Sequence, residues 1–249
     1  MTPPSPVHLS FSPDLTPARF VERPNRFLVR ARLPDQGIVE AHLPDPGRLR
    51  ELLRPEAPLW LEPVQPGKSS NRRTRWTLRL CRSPDGNGVV SLDSTLPNRL
   101  IELALQEEAM EEFRGWQLSR SEVTVGKSRF DFLLERSEGP RETRRLLLEV
   151  KSVTLVADGV GLFPDAVTAR GARHVGELAR LEGEGWKTAV LFVLQRNDAT
   201  EIRAAADIDP HFAATLDEAE AAGVRVLGRR CQVDLKGINL GPPIPAAAG

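Results

Sequence analysis

Leu146-Leu147-Leu148-Glu149-Val150-Lys151-Ser152-Val153-Thr154-Leu155 reads as a strand that carries chemistry. Apolar residues dominate it, as in a strand covered on both faces. Its two charges, Glu149 and Lys151, are two residues apart and so leave the same side of the sheet. A carboxylate and an ammonium inside a buried strand must pair, bind metal or face a cleft, because an unpaired buried charge is strongly unfavourable.

Upstream, Ser128-Arg129-Phe130-Asp131-Phe132-Leu133-Leu134 reads as a second short strand and the hairpin partner of the first, with Asp131 between two aromatic rings. Asp131 and Glu149 on neighbouring strands can converge on a hard divalent cation, which prefers oxygen ligands. The main-chain carbonyl of Val150 is a third oxygen, and Lys151 is placed to orient a water or stabilise charge. This is the logic of metal-assisted phosphodiester cleavage, with Mg2+ or Mn2+ as the expected ion.

The Asp131, Glu149-x-Lys151 set resembles the PD-(D/E)XK nuclease superfamily. Two longer strings, Glu-Val-Lys-Ser-Val-Thr-Leu at 149–155 and Phe-Pro-Asp-Ala-Val-Thr-Ala-Arg-Gly-Ala-Arg-His at 163–174, are similar to the sugar fermentation stimulation protein A family and are far more specific than the short motif. That resemblance implies an OB-like domain followed by a nuclease-like domain, and DNA as partner. It leaves two roles open, a metal-dependent nuclease or a non-enzymatic DNA-binding regulator of sugar metabolism. An oligosaccharide-binding module is a third reading that a barrel by itself allows. Two departures stand out: Asp45-Pro46-Gly47 replaces an Asn-Thr-Gly, and Phe130, not Pro, precedes Asp131.

Composition bounds these readings. The 249 residues are 40% apolar and 27% charged, as in a globular protein long enough for two modest domains. The longest apolar run, 189–194, is far too short to span a membrane, and the N-terminus lacks the basic and apolar regions of a secretory signal. Two distant cysteines, Cys81 and Cys231, argue against a disulfide scaffold or zinc site, so a reducing, cytoplasmic setting is expected. The formal net charge is zero, with 34 basic and 34 acidic residues, so nucleic-acid binding must come from local patches. One such patch is Lys68, Arg72, Arg73, Arg75, Arg79 and Arg82 around Trp76, which taken alone reads as a solvated loop and edge strand before it reads as a DNA-binding loop; Trp76 itself fits the barrel interior better than base stacking.

In chain order, 1–15 reads as a tail or arm. Strands are expected at 26–33, 38–43, 58–63, 74–81 and 89–92, which together suggest a small OB-like barrel. Ser94-Thr95-Leu96-Pro97 predicts a helix start with a capping hydroxyl, and apolar spacing carries the helix over 97–113. The domain boundary is set before it, giving 1–93 as the barrel with its arm and 94–249 as the nuclease-like domain. Strands at 116–125, 129–135 and 145–155, a helix at 168–183 and a strand at 187–194 complete an αβββαβ order with a mixed sheet. A helix at 210–222 and a strand at 224–227 extend it, and the Pro-rich end is expected to pack loosely.

Further site candidates are Arg170 and His174, four apart on one helix face and suited to a phosphate contact or proton relay. Glu122 and Glu102 are possible extra carboxylates or solvated acids. Asp165 is expected to form a cap or turn, and Gln195 lies where sheet ends meet ligands.

Overall fold

The computed structural model describes residues 7–64, 73–139 and 142–248. The first strand, β1 (His8–Ser10), is followed by β2 (Thr16–Asn25), β3 (Leu28–Leu33), β4 (Gly37–His42), β5 (Pro58–Pro63), β6 (Trp76–Arg82) and β7 (Val89–Ser91). Strands β2 to β6 run in the order β4-β3-β2-β5-β6, and a parallel β4–β6 pairing closes them into a five-stranded barrel with β7 attached to β6. This is the OB-like barrel that the spacing of short strands predicts. Val29, Ala31, Leu43, Leu59, Leu61 and Leu78 fill its interior.

The strand count was legible, but its membership differs. Thr16–Asn25 supplies the first barrel strand, and 89–91 is an appendage. Pro17 and Pro24 hide β2, as does a bulge after Phe20 that leaves Ala18 and Phe20 as its fully buried apolar positions. Trp76 is half-buried against the barrel core, as an interior-facing ring should be.

Asp93 organises the passage out of the barrel. Its Oδ2 pairs with Arg79, which also holds Glu62, and its Oδ1 accepts from the Thr95 N–H at 3.0 Å and the Thr95 hydroxyl at 2.7 Å. The hydroxyl expected to cap the next helix therefore donates to Asp93 instead. Helix α1 (Leu96–Gln106) stops short of the predicted 113, because Glu108 adopts a left-handed conformation and Ala109 N–H closes on the Ala104 carbonyl at 2.8 Å. No glycine marks that end, which is why periodicity overran it; Phe113 belongs to a separate single turn, Glu111–Phe113.

Then come β8 (Gln117–Val125), β9 (Ser128–Gly139), β10 (Glu142–Val153), β11 (Leu155–Ala157), β12 (Val160–Phe163), α2 (Ala169–Gly183), β13 (Lys187–Leu194), β14 (Glu201–Ala204), α3 (Pro210–Ala221), β15 (Arg225–Val233), β16 (Gly237–Ile244) and β17 (Ala246–Ala247). A seven-stranded mixed sheet runs β1-β16-β15-β13-β10-β9-β8, and a four-stranded sheet runs β11-β12-β14-β17. Helix α2 carries the chain from β10 to its parallel neighbour β13, the usual crossover.

The large sheet is covered on both sides. Leu146, Leu148 and Val150 of β10 join Leu100 and Ile101 of α1 in one core, while Leu147 joins Val175 and Leu178 of α2 in the other. Each such side chain contributes roughly 1.5–3 kcal/mol by leaving water. This double cover explains the nearly continuous apolar run of β10.

Both chain ends correct the sequence reading. Residues 8–10 form an edge strand on β16 and belong to the large sheet, not to a free arm. The Pro-rich end is a strand, with Leu240 N–H donating to the Val7 carbonyl at 2.9 Å. Pro242 and Pro243 lie past the reach of β1 and at the register shift between β15 and β16, where the ladder is interrupted. Among the described residues, no helix is long and apolar enough to cross a membrane.

If the C-terminal strand is integral, Ile238→Ala, which empties a fully buried site, will cost about 2–5 kcal/mol in equilibrium denaturation; a loss under about 1 kcal/mol would mean that the segment packs loosely after all.

Candidate functional site

Strands β9 and β10 pair regularly as far as Phe132 and Leu148 and then part. The next ladder donor on β10, the Val150 N–H, is taken by the side chain of Asp131, at 2.7 Å to Oδ2. Strand β10 continues on its other edge, paired with β13 as far as Val153 and Leu194. A residue's N–H and C=O leave a strand on the same edge, so the Val150 carbonyl also faces the gap where β9 and β10 separate.

Asp131 is held from the α1 side: Asn98 donates to its Oδ1 at 2.6 Å. Glu149 is held from the α2 side, where His174 Nδ1 donates to Oε1 at 2.8 Å and Lys151 Nζ donates to the same oxygen at 2.5 Å. The other oxygen, Glu149 Oε2, is buried and has no hydrogen-bond partner among the described residues.

Electrostatics divides the two acids. Burial raises the Asp131 carboxyl to about 6, the nearby Glu149 charge adds to this, and the Val150 N–H, Lys151 and Asn98 oppose it. For Glu149 burial is again the largest influence and pushes upward, but the hydrogen bond from His174 and the charge and hydrogen bond of Lys151 together outweigh it and hold the carboxyl below its ordinary range. The surroundings therefore favour the ionised form of Glu149 and the protonated form of Asp131.

Lys151 also lines a cavity of about 380 Å³ at the seam between barrel and sheet, with Ser152 and Thr154 beyond it. The opposite wall is the Asp45-Pro46-Gly47 turn, in which Asp45 Oδ1 accepts the Gly47 N–H at 2.8 Å. Asp165 crosses the seam. Its Oδ2 accepts from the Arg48 N–H at 2.6 Å and the Leu49 N–H at 3.4 Å, so its turn role is to bind the other domain. A Cβ on Gly47 would meet that oxygen at 2.3 Å, so only glycine permits this approach.

The structure brings together Asp131, Glu149, Lys151, Val150 and His174. His174 is only 4% exposed and spends its Nδ1 on Glu149, so it positions the carboxylate and makes no surface phosphate contact. Arg170 is exposed in the first turn of α2. Glu122 faces solvent beside Arg129, and Glu102 accepts from the Ser121 hydroxyl at 2.5 Å. Gln195 is fully buried, donates from Nε2 to the Ser152 hydroxyl at 2.9 Å and receives the Ser91 N–H on its carbonyl at 3.1 Å, a seam residue and not a ligand-facing one. Arg73 and Arg75 are exposed at the entrance to β6; Lys68 and Arg72 lie outside the described residues. Sequence reading missed Asn98, whose only signal is its place one turn into α1.

Among the described residues no group of three or more His, Cys, Asp or Glu side chains is arranged to hold a metal ion, and His174 is spent on Glu149, so a cation here would rest on two carboxylates and main chain. Such oxygen-only sets suit hard divalent ions, which complete their shells with water.

Comparison with known proteins agrees with this architecture. Residues 95–237 match the family described as the sugar fermentation stimulation protein RE domain, and residues 21–92 match the SfsA N-terminal OB domain. The chain belongs to the sugar fermentation stimulation protein family. Sugar fermentation stimulation protein homologs from Moorella thermoacetica and Shouchella clausii are 44% and 46% identical, covering 93% and 94% of this chain and 96% and 97% of theirs. The solved structure of Pyrococcus furiosus SfsA in complex with Ca2+ superposes with a TM-score of 0.83 at 28% identity, covering 96% of this chain and 97% of that one.

Asp45 supplies a pH test of the seam. Burial raises its carboxyl to about 6, with the Asp165 charge adding to this. Its protonated form is favoured in the fold, so the associated stability is fully present below the unfolded value near 3.8 and is lost as pH rises through 6. Asp45→Asn keeps an acceptor for Gly47 and should flatten this dependence, gaining about 1–3 kcal/mol at pH 8; a variant less stable than wild type at pH 8 would mean that the charge itself holds the seam.

Proposed function

We propose that the protein binds DNA and hydrolyses phosphodiester bonds at a divalent-cation site formed by Asp131, Glu149 and the Val150 carbonyl. The observation that carries this reading is Glu149 Oε2, a buried carboxylate oxygen without a hydrogen-bond partner among the described residues, beside a second carboxylate of raised pKa. Two acids so placed repel each other, and a cation between them removes the repulsion and satisfies the free oxygen. The solved complex of the P. furiosus relative with Ca2+ adds support for a cation that takes oxygen ligands.

The bound ion, Mg2+ or Mn2+, would supply Lewis-acid polarisation of the phosphate and a more acidic water. The chain's own groups do the rest. Asn98 and the Val150 N–H fix Asp131, and His174 fixes Glu149. Lys151, half-buried between Glu149 and the cavity, is placed to hold the attacking water and to offset charge as the phosphate gains it. The exposed Arg73, Arg75 and Arg170 are among the cations that would draw in a polyanion, whose binding weakens with salt; Lys68 and Arg72 belong to the same basic loop in sequence.

A second reading, a DNA-binding regulator without hydrolysis, is favoured by one observation: Lys151 is engaged by Glu149, as it would be in a site where it only neutralises charge. The experiment that separates them is calorimetry with Mg2+ and Mn2+, followed by incubation of the same samples with single-stranded, duplex and branched DNA. Wild type should bind the ion and cleave. Asp131→Asn and Glu149→Gln should lose ion binding, and Lys151→Ala should keep it while cleavage falls by two orders of magnitude or more, on the order of one lost charge-stabilising donor. Ion binding with no cleavage of any substrate would favour the regulator; equal ion binding by Glu149→Gln would exclude the site.

A further inference from the structure

The cavity beside Lys151 has an unusual lining for a site that meets a polyanion. Arg26 and Lys151 present two cations, whereas Asp45 and Asp165 present two acids on the facing turn and loop. A bare phosphate would be repelled by the acids, and a bare cation by the arginine and lysine. A nucleotide carries both complements, a phosphate for the cations and a base edge whose amino groups donate to carboxylates. The volume of about 380 Å³ lies within the range of small-ligand pockets.

The rim adds a second, independent feature. Among the described residues the exposed large hydrophobic side chains are Phe27, Ile38, Val167 and Leu235. One of these four, Val167, 68% exposed, lines the cavity, and a second, Phe27, 51% exposed, is the chain neighbour of the lining residue Arg26 in the β2–β3 turn. That turn is built firmly. The Phe27 N–H donates to Asn25 Oδ1 at 2.9 Å, its carbonyl receives the Leu43 N–H at 2.9 Å, and Arg23 donates to the carbonyls of both Arg26 and Arg48 at 2.8 Å. One guanidinium thus ties the aromatic turn to the turn that forms the cavity wall. In a five-stranded barrel of this topology the loop between the first two strands is a common place for single strands to bind.

We propose that this cavity takes one unpaired nucleotide of a DNA strand, with its phosphate between Arg26 and Lys151 and the flanking base stacked on Phe27. The substrate is therefore single-stranded, or unpaired, at the reacting position, because a stacked and paired base cannot enter a concave pocket. This inference rests on the nucleic-acid reading above and narrows it.

The test is fluorescence anisotropy of the full chain in Ca2+ with a labelled single-stranded oligonucleotide, a blunt duplex of the same sequence and unlabelled deoxynucleoside monophosphate as competitor, alongside calorimetric Ca2+ titration. The single strand should bind at least tenfold tighter than the duplex. Phe27→Ala should weaken it by about 5- to 150-fold, the range for loss of one base–aromatic stack, Phe27→Trp should restore it, and Ca2+ affinity should not move. Since Phe27 is exposed, these variants leave the core intact. Equal single-strand and duplex affinity, or DNA binding indifferent to Phe27→Ala and Arg26→Ala, would overturn the inference while leaving the cation site standing. Mononucleotide competing as well as the oligonucleotide would also overturn it, in favour of a free-nucleotide pocket. Ca2+ binding with no DNA binding at all would overturn both this inference and the nucleic-acid part of the reading.

Discussion

Asp131 and Glu149 face each other across a gap between two strands, inside a sheet covered by helices on both sides, where two ionised carboxylates cannot coexist without compensation. The fold answers with groups brought from three directions: Asn98 from α1, His174 from α2, and Lys151 from the same strand. Of the four oxygens of these two acids, Glu149 Oε2 is left without a partner among the described residues. The parting of β9 and β10 is itself built from this chemistry, since the Asp131 side chain takes the N–H that would have continued the ladder. Removing the acids would therefore change the local backbone as well as the charge.

The second constraint is the seam. Asp165, Gly47, Arg23 and the Arg48 and Leu49 amides form one connected set that fixes the barrel's turns over the end of β10. Lys151 thereby lines a cavity with walls from both domains. The seam works through main-chain donors and buried carboxylates, which hold geometry more strictly than exposed ion pairs do. The N-terminal strand reinforces the coupling, because the chain pairs with the C-terminal sheet before it enters the barrel.

Much of this was legible from residues alone. Glu149 and Lys151 announce themselves because charge in an apolar strand is costly, and apolar periodicity gives the αβββαβ frame, although it runs Leu155 on from β10 and misses the short strands β11 and β12 before α2. The parts that stayed hidden share a physical cause, which is that their signals are tertiary. Strand β2 carries two prolines and a bulge, and β16 ends in Gly-Pro-Pro-Ile, yet both pair with their neighbours around shifts in register. His174 looks like a surface partner for Arg170 by spacing, and only packing shows that it lies beneath Glu149. Asn98 has no pattern around it at all. Asp165 was legible as a turn residue, but the turn it serves belongs to the other domain.

The central claim, that the free Glu149 oxygen and Asp131 together hold a divalent cation, is tested most directly by anomalous diffraction from a crystal of the full chain soaked in Mn2+. The account predicts an anomalous peak in the gap between β9 and β10, within ligand distance of Asp131, Glu149 Oε2 and the Val150 carbonyl. Saturating Mn2+ with no peak there, and with Glu149 still bound only to Lys151 and His174, would contradict it.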